Sequence, residues 1–355
     1  MKIIHLVSNK VWGGGEQYVL DLATEFASKG NDVTIVARNI NAVTGRFKDA
    51  GLSVTTMALK GATDLISPVR LARLIGHEEP VIIHVHNFKD ATTALRARTL
   101  SRNRNVRIVM TRHLIKPAKN RALYNKLDAM IFVSHLAKNE FMSTSPVIDA
   151  TKVHVIHNSI KLQRPTECHH ANNELTIMFH GRLSPEKGID TLLRAFALAD
   201  IPNARLIIAG GGNEEYVKEL QTIADKAGIS QQTTWTGHVS DIHPFIEKAD
   251  IGVCPSRWRE PFGLAVIEYM AHGKPVITTN NGAQPEYLTN GTDGIMTPPD
   301  DVEALATAIK FLSDAGQRQA IGKAAQKTFE GRLAYPIFIE RIENVYKTVL
   351  NKQQP

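Results

Sequence analysis

The chain has 355 residues, of which 43% are hydrophobic and 22% are charged, as in ordinary soluble globular proteins. This length predicts about two domains. The two cysteines, Cys168 and Cys254, are too few for a disulfide framework, which favours a reducing compartment. The sequence has no apolar run near the roughly 18 residues that cross a bilayer, and its first residues resemble a strand rather than a signal peptide. We therefore expect neither a secreted nor an integral membrane protein, and we expect the chain in the cytoplasm.

The net charge of +7 is unevenly distributed. Residues 1–165 carry 24 Lys and Arg against 12 Asp and Glu, whereas residues 166–355 carry 18 against 23. The segment 89–126 holds 11 basic residues and a single acid, Asp90. A solvated basic face would explain this segment, and so would a surface for anionic lipid headgroups or a phosphate-bearing acceptor. Nucleic acid is disfavoured as a partner, because aromatic residues that could stack on bases are few.

Short apolar runs alternate with stretches of helical periodicity along the whole chain. In the first half, strand-like runs lie at 2–7, 33–37, 81–86, 107–111 and 129–133. In the second half, they lie at 176–180, 204–209, 251–254 and 275–278. Several runs are apolar at consecutive positions, which is typical of parallel strands covered on both faces. The alternation predicts βαβ units and an α/β fold with parallel sheets.

The alternating pattern restarts near residue 175, after the polar segment 163–174, which we interpret as an interdomain linker. We therefore predict two Rossmann-like, doubly wound domains, at 1–165 and 175–335, that face each other across a cleft. A final amphipathic stretch at about 336–352 could complete the second domain or return to the first, and we place it with the first.

Glycine-rich loops follow two of the strand-like runs, where doubly wound sheets bind ligands. The first loop contains Gly13, Gly14 and Gly15, before a helix predicted from about Gln17 to Lys29. Glycines there let the backbone approach a ligand and direct N–H groups at it, although a tight turn explains them equally well. Neither this loop nor the one at 209–214 has the G-x-G-x-x-G spacing, and no acid ends the second strand. Both facts argue against a dinucleotide site.

Two charged motifs follow strands in the second half. In GRLSPEKG, Arg182 and Lys187 flank a strand end and suit a diphosphate, or alternatively a surface role. In PSRWREPFGL, Glu260 precedes a helix that carries Glu268. Two such carboxylates could each accept hydrogen bonds from a sugar diol. Alone, each could be a helix-dipole partner or a solvated residue, but their coincidence with the two cations favours a site.

The loop that contains Glu260 also predicts an anion site made of main chain. The backbone N–H groups of Phe262, Gly263 and Leu264 would begin the next helix, where such groups lack intrahelical acceptors and attract anions.

With these motifs in this order, the chain resembles the retaining glycosyltransferases of family 4, which have the GT-B fold, over nearly its whole length. The most specific part is Glu260-x7-Glu268 within EPFGLAVIEYMAHGKPVI, followed by GAQPE at 282–286. The GRLSPEKG and GGGE segments occur in the domains in which this family has them.

The resemblance implies a set of donor-binding residues. They are Gly14, Gly15, Gly181, Arg182, Lys187, His238, Val239, Arg257, Glu260, Phe262, Gly263, Leu264 and Glu268. By resemblance, Arg182 and Lys187 hold the donor diphosphate, Glu268 binds the ribose and Glu260 binds the transferred sugar. The backbone of His238 and Val239 would contact the base, and the first-domain glycines would close over the diphosphate.

The resemblance also implies the reaction. A hexose-type sugar would move from a UDP- or GDP-sugar to an acceptor hydroxyl with retention, and the leaving phosphate would take the acceptor's proton. The catalytic residues implied are His113, Arg182, Lys187 and Glu260. Of these, Arg182 and Lys187 are cations that would stabilise the departing diphosphate. By position alone, a histidine just past a strand is usually structural. We expect no cofactor beyond the donor and no metal, because no Asp-x-Asp pair occurs, and we assign His84 and His86 to the core or cleft wall.

The acceptor implied is a sugar, a lipid-linked sugar or a glycolipid of lipopolysaccharide or cell-surface polysaccharide synthesis, bound by the basic first domain. We expect an anionic leaflet or lipid-linked phosphate to be attracted by the arginines of the segment 89–126, namely Arg96, Arg98, Arg102, Arg104 and Arg107. This contact would place the protein at the inner face of the cytoplasmic membrane.

Three alternatives remain open. An epimerase or hydrolase of nucleotide sugars would share the fold, but such enzymes need further carboxylates at the sugar. A nicotinamide-dependent dehydrogenase would need the missing glycine fingerprint. A sugar-nucleotide binding module without activity would not need the charged residues Arg182, Lys187, Glu260 and Glu268.

Overall fold

The computed structural model describes residues 1–77, 80–117, 121–144, 148–162 and 174–351. The predicted linker, apart from Glu174, lies outside these residues, as does Cys168. The chain forms two compact units, Met1–Asn158 with Pro336–Pro355, and Ser159–Tyr335. The first unit ends at Asn158 rather than at residue 165, because Ser159 packs within the second unit, where its hydroxyl donates to the Leu333 carbonyl at 2.5 Å.

The described residues form thirteen strands. These are β1 (Lys2–Val7), β2 (Asp32–Ala37), β3 (Ser53–Thr56), β4 (Val81–Val85), β5 (Val106–Arg112), β6 (Ala129–Phe132), β7 (Val153–Val155), β8 (Leu175–His180), β9 (Ala204–Ala209), β10 (Thr233–Gly237), β11 (Ile251–Cys254), β12 (Val276–Thr279) and β13 (Ile295–Thr297). Every strand predicted from the sequence is present, with ends that differ by one residue at most.

The same residues form thirteen α-helices. These are α1 (Gly14–Ser28), α2 (Asn41–Asp49), α3 (Ile66–Ile75), α4 (Phe88–Leu100), α5 (Arg121–Tyr124), α6 (His135–Thr144), α7 (Ile189–Ala199), α8 (Glu214–Lys226), α9 (His243–Lys248), α10 (Leu264–Ala271), α11 (Val302–Phe311), α12 (Ala315–Thr328) and α13 (Tyr335–Asn351). Among these helices, none combines the length and apolar character needed to cross a membrane.

Each unit contains one parallel sheet. The first has the order β3-β2-β1-β4-β5-β6-β7, and the second has the order β10-β9-β8-β11-β12-β13. In the first sheet, Ile4 of β1 pairs in parallel register with Thr34 of β2 and Ile83 of β4. The central strands are buried on both faces, which explains their continuous apolar sequences. The two sheets confirm the predicted α/β class with two Rossmann-like domains.

Four strands that the sequence did not reveal, β3, β7, β10 and β13, are the edge strands of the two sheets. An edge strand has one neighbour and a partly solvated surface, so it needs no continuous apolar run. Their sequences, SVTT, VHV, TTWTG and IMT, are short and contain few large apolar residues.

Candidate functional site

The carboxyl ends of β8 and β9 are joined by glycines that allow close backbone contact. A Cβ atom at Gly210, whose φ is +153°, would lie 1.8 Å from the carbonyl oxygen of Gly181. The N–H of Gly181 donates to the Ala209 carbonyl at 2.9 Å, and that of Leu183 donates to Gly211 at 2.9 Å. These contacts fix the start of the GRLSPEKG loop above the sheet.

Lys187 and Glu260 meet at this edge of the second sheet. The Lys187 Nζ lies 2.5 Å from Glu260 Oε1, and the Ser256 hydroxyl donates to the same oxygen at 3.0 Å. The two side chains of the ion pair are only 26% and 15% exposed. A carboxylate held through one oxygen can direct the other at sugar hydroxyls, while the adjacent ammonium group can bind a phosphate.

The loop after β12 positions the main chain of Glu260. The N–H of Ala283 donates to the Glu260 carbonyl at 3.0 Å. A Cβ atom at Gly282 would lie 2.9 Å from both the nitrogen and the carbonyl oxygen of Glu260. A side chain at residue 282 would therefore crowd the main chain of Glu260 and also Gln284, whose Oε1 would lie 2.2 Å from the added Cβ atom.

Glu268 is held by a histidine that the sequence analysis did not identify. The Nε2 of His180 lies 2.5 Å from Glu268 Oε2. Its Nδ1 lies 2.9 Å from the hydroxyl of Tyr269, which donates to the Met178 carbonyl at 2.9 Å. His180 is the last residue of β8, directly before GRLSPEKG. This position at a strand end beside a charged motif is the sequence feature that could have identified it as a site residue.

The residues predicted to form a main-chain anion site lie at the start of α10. Gly263, at φ +92°, is the N-cap residue, and helix geometry gives the N–H groups of Gly263 and Leu264 no intrahelical acceptor. Phe262 is buried, and its carbonyl accepts a hydrogen bond of 2.7 Å from the Tyr287 hydroxyl. This hydrogen bond between residues 25 positions apart in the sequence therefore fixes the start of α10.

The two predicted arginines occupy different environments. Arg182 is 72% exposed and lies 3.5 Å from Glu186, so its guanidinium remains accessible. Arg257 instead contacts Asp190 at 2.6 Å, forms a close ion pair with Asp300, and donates to the Pro185 carbonyl at 2.8 Å. These carboxylates hold the pKa of Arg257 above its usual range. The guanidinium of Arg257 thus links three structural elements, and its predicted contact with the donor stays a prediction.

His238 and Val239 follow β10 at the same sheet edge. His238 is exposed and Val239 is half-buried. A Cβ atom at Gly211 would lie 3.7 Å from the Cβ of His238, so this segment borders the glycine loop after β9.

In the first unit, His113 lies beside the glycine loop. The helix α1 begins at Gly14, three residues before the predicted start at Gln17, so Gly14 and Gly15 form its first turn. A Cβ atom at Gly15 would lie 3.9 Å from His113 Cδ2. The structure thus brings these predicted residues together at the carboxyl end of β5.

His113 belongs to a chain of histidine side chains. Its Nε2 lies 3.2 Å from His86 Nδ1, and His86 Nε2 lies 3.4 Å from His5 Nδ1. Burial lowers the pKa of His113 to about 4 and that of His5 to about 3, and it lowers the pKa of His86 well below its usual value. These three imidazoles are therefore neutral at pH 7.

The bonding pattern assigns the protons of this chain. The Nε2 of His5 is buried without a partner among the described residues. A buried N–H without an acceptor is rarer than a buried acceptor without a donor. We therefore assign the proton of each ring to Nδ1, so that His5 donates to His86 and His86 donates to His113. His113 then carries an Nδ1–H donor.

The ring nitrogens of His5, His84 and His86 lie within 4.8 Å of one another, as a metal site would require. However, His84 already uses both nitrogens, Nδ1 with the Tyr346 hydroxyl at 2.6 Å and Nε2 with the Thr111 hydroxyl at 2.7 Å. This arrangement agrees with the assignment of His84 to the core.

Three of the five arginines expected to attract a membrane have structural partners. Arg107 is buried and donates to the Val349 carbonyl of α13 at 2.9 Å. Arg98 forms an ion pair of 2.7 Å with Asp128, and Arg96 donates to the Ala62 carbonyl at 2.7 Å. The prediction for Arg107 is wrong, because a buried side chain cannot meet a surface. The other two, Arg102 and Arg104, are exposed.

Comparisons with known proteins extend over both units. Residues 12–164 match the family model described as Glycosyltransferase Family 4, and residues 166–328 match Glycosyl transferases group 1. A D-inositol 3-phosphate glycosyltransferase of Mycobacterium marinum is 26% identical over 361 residues, which cover 87% of this chain and 75% of that protein. An uncharacterized glycosyltransferase of Methanocaldococcus jannaschii is 31% identical over 184 residues. That match covers 50% of this chain and 46% of the relative, so the chain spans less than half of its length.

Solved structures share the fold at low sequence identity. A glycosyltransferase from Rickettsia africae has a TM-score of 0.86 at 19% identity, covering 99% of both chains. Anabaena HepE in complex with UDP and glucose has a TM-score of 0.83 at 21% identity, covering 98% of this chain and 100% of that chain. Since the two family models together take in almost the whole sequence, the chain belongs to the glycosyltransferases that combine a family 4 domain with a group 1 domain in the GT-B fold.

Proposed function

We propose that the protein is a retaining glycosyltransferase that moves a hexose-type sugar from a nucleoside diphosphate to an acceptor hydroxyl. The pairing of Lys187 with Glu260 carries this proposal. It sets a cation for the diphosphate against a carboxylate for the sugar hydroxyls, at the strand ends where doubly wound sheets bind ligands. The first turn of α10 adds backbone N–H groups for the same anion.

A UDP-sugar is the first choice of donor, and a GDP-sugar is the second. Anabaena HepE, which has the same fold, is described in complex with UDP and with UDP-glucose. In the reaction, charge develops on the diphosphate oxygen that leaves the sugar. Lys187, Arg182 and the α10 N–H groups would stabilise that charge more in the transition state than in the donor.

Retention follows in this proposal from attack on the same face of the sugar, with the leaving phosphate accepting the acceptor's proton. His113 would donate its Nδ1–H to a hydroxyl of the transferred sugar, because a neutral imidazole with Nε2 occupied by His86 has that proton to offer. The reaction requires no metal in this scheme, and full turnover in the presence of a strong chelator is the expected result.

The acceptor proposed is a sugar, lipid-linked sugar or glycolipid of lipopolysaccharide or cell-surface polysaccharide synthesis. A lipopolysaccharide outer core galactosyltransferase shares the fold with a TM-score of 0.75 at 17% identity, which supports this class. Contact with an anionic membrane would use the exposed Arg102 and Arg104. Salt-sensitive sedimentation with anionic vesicles, compared with neutral vesicles, tests that contact.

A thermal-shift panel of nucleoside diphosphates and their sugars tests the donor. We expect stabilisation by the compounds of one base, and a loss of that stabilisation in Lys187→Ala but not in Lys218→Ala, which changes an exposed lysine of α8. Product analysis then separates transfer from epimerisation and hydrolysis. An epimerised nucleotide sugar, or free sugar formed at the same rate with and without every acceptor, would contradict a transferase.

A further inference from the structure

A basic pocket lies in the first unit, apart from the arginines of the segment 89–126. It has a volume of about 480 Å³, and its lining includes Lys10, Arg38, Lys60 and Arg70 but no Asp or Glu. Three of these cations follow the carboxyl ends of β1, β2 and β3, and Arg70 lies on α3. The pocket therefore lies at the carboxyl ends of the strands of the first sheet, where doubly wound folds bind ligands.

Fixed main chain shapes this pocket. The Nε of Arg38 donates to the Ala58 carbonyl at 2.9 Å, which holds the guanidinium at the pocket. Leu59 has a φ of +48°, a conformation unfavourable for leucine, and its side chain is fully buried. The buried side chain of Leu59 therefore anchors the turn that carries Ala58 and Lys60.

The buried carboxylate of Asp64 locks the other side of the turn. It accepts hydrogen bonds from the N–H of Lys60 at 3.0 Å and from the N–H and hydroxyl of Ser67 at 2.9 and 2.6 Å. These donors hold the pKa of Asp64 at about 2 against the effect of burial. Its charge is thus satisfied by the turn itself, and the ammonium group of Lys60 is not its partner.

The four cations of the pocket repel one another without a neutralising partner. Within the described part of the chain, none of them forms an ion pair with a carboxylate. Arg38 acts electrostatically on the carboxyl group of Asp90. However, burial raises the pKa of Asp90 to about 7, so this group is only partly ionised at neutral pH. By contrast, Arg98 of the segment 89–126 is paired with Asp128. Uncompensated positive charge on a fixed turn is typical of a site for a multiply charged anion.

The dimensions and chemistry indicate a phosphate group. The volume is that of a small-molecule site, and guanidinium and ammonium donors together suit the oxygens of a phosphate. No aromatic side chain lines the pocket, so it offers no surface on which nucleic acid bases could stack. We propose that this pocket binds the phosphate group of a phosphorylated acceptor. The proposal rests on the proposed function, and it names the substrate class that the first unit would take.

Calorimetry with glycerol 3-phosphate tests the pocket directly. In the double variant Lys60→Gln/Arg70→Gln, we expect affinity to fall at least tenfold. The matched variant Arg102→Gln/Arg104→Gln also removes two exposed cations of the first unit, but these residues precede β5, at the amino end of the strand. This variant should retain wild-type affinity. Lys187→Ala, in the second unit, should retain it as well. Equal weakening by both double variants, or wild-type binding by Lys60→Gln/Arg70→Gln, would overturn the site.

Thermal unfolding gives a second readout. Because the four cations repel one another, Lys60→Gln/Arg70→Gln should unfold at the same or a higher temperature than the wild type without ligand. It should also lose the stabilisation that glycerol 3-phosphate gives the wild type. A lower unfolding temperature without ligand would show that the two cations support the fold, and would contradict the proposal.

Two further arms separate the sources and the two proposals. If Lys60→Gln/Arg70→Gln weakens binding to vesicles containing phosphatidic acid more than Arg102→Gln/Arg104→Gln does, the phosphate belongs to a lipid. If only glycerol 3-phosphate binds at Lys60 and Arg70, the phosphate belongs to a soluble acceptor. Both results support the pocket. UDP binding should be unchanged in Lys60→Gln/Arg70→Gln. A protein that binds glycerol 3-phosphate here but no nucleoside diphosphate would contradict the proposed function and leave the pocket proposal intact. A protein that binds UDP but not glycerol 3-phosphate would contradict the pocket proposal and leave the proposed function intact.

Discussion

The carbonyl oxygen and nitrogen of Glu260 lie against Gly282, close enough that a Cβ atom there would be 2.9 Å from both. This contact makes the loop after β12 part of the machinery that positions Glu260, although Gly282 itself has no side chain to offer a ligand. The position of Glu260 thus depends on residue 282 being a glycine.

Gly282→Ala should therefore reduce transfer about tenfold to a hundredfold, because the displaced Glu260 would no longer match the sugar hydroxyls. Steady-state kinetics measure the effect, and Gly45→Ala is the control. A Cβ atom at Gly45, in α2, would have its nearest neighbour at 3.6 Å, so this change should leave turnover and fold unaffected. Wild-type kinetics in Gly282→Ala would show that the contact does not position Glu260.

His180→Leu should weaken donor binding, because Glu268 would lose the partner that lies 2.5 Å from its Oε2. We expect KM for the donor to rise about tenfold and kcat to change less, since the ribose is bound in both the ground state and the transition state. His180→Gln, which retains a donor, should restore part of the affinity. A fall in kcat at unchanged KM would contradict this positioning role.

The tautomer of His113 can be observed directly. Long-range ¹⁵N–¹H correlation spectra at pH 7 should show a proton on Nδ1 and a lone pair on Nε2, because Nε2 accepts from His86. His5→Leu should loosen this preference, since the chain of donors begins at His5. A protonated Nε2 on His113 in the wild type would reverse the assigned direction of the chain.

Burial of neutral histidines also predicts acid sensitivity. His5 is fully buried with a pKa of about 3, whereas an unfolded histidine titrates near 6.5. Between these values the unfolded chain binds more protons than the folded one, so stability falls as the pH falls from 6.5. The loss for one such group is about 1.4 kcal/mol per pH unit.

Urea unfolding between pH 6.5 and pH 5 measures this slope. In His5→Asn the slope should be smaller than in the wild type by roughly the contribution of one histidine. In His77→Asn, which changes an exposed histidine, it should stay the same. The comparison removes the opposing contribution of Asp90, whose raised pKa of about 7 favours the folded state as the pH falls. An unchanged slope in His5→Asn would mean that His5 is protonated in the folded protein.

The sequence predicted the central strands well because each is buried on both faces and must be apolar throughout. It missed the edge strands, which carry no such constraint. At the site, the charged motifs indicated Lys187 and Glu260, but spacing alone does not reveal which side chains Arg257 contacts. Arg257 is engaged by Asp190 and Asp300, which lie far from it in sequence. His180 was missed for the same reason, because its partner Glu268 comes from another element.

The central claim is that Lys187 and Glu260 act on the donor as one unit. A double-mutant cycle in UDP-glucose calorimetry, with GDP-mannose as the second donor, tests it most directly. We expect Lys187→Ala and Glu260→Ala each to reduce donor affinity strongly, with the double variant little worse than either. The coupling energy should be about 1 to 3 kcal/mol, since the residues contact each other. Wild-type affinity in Lys187→Ala, or losses that simply add in the double variant, would contradict the account.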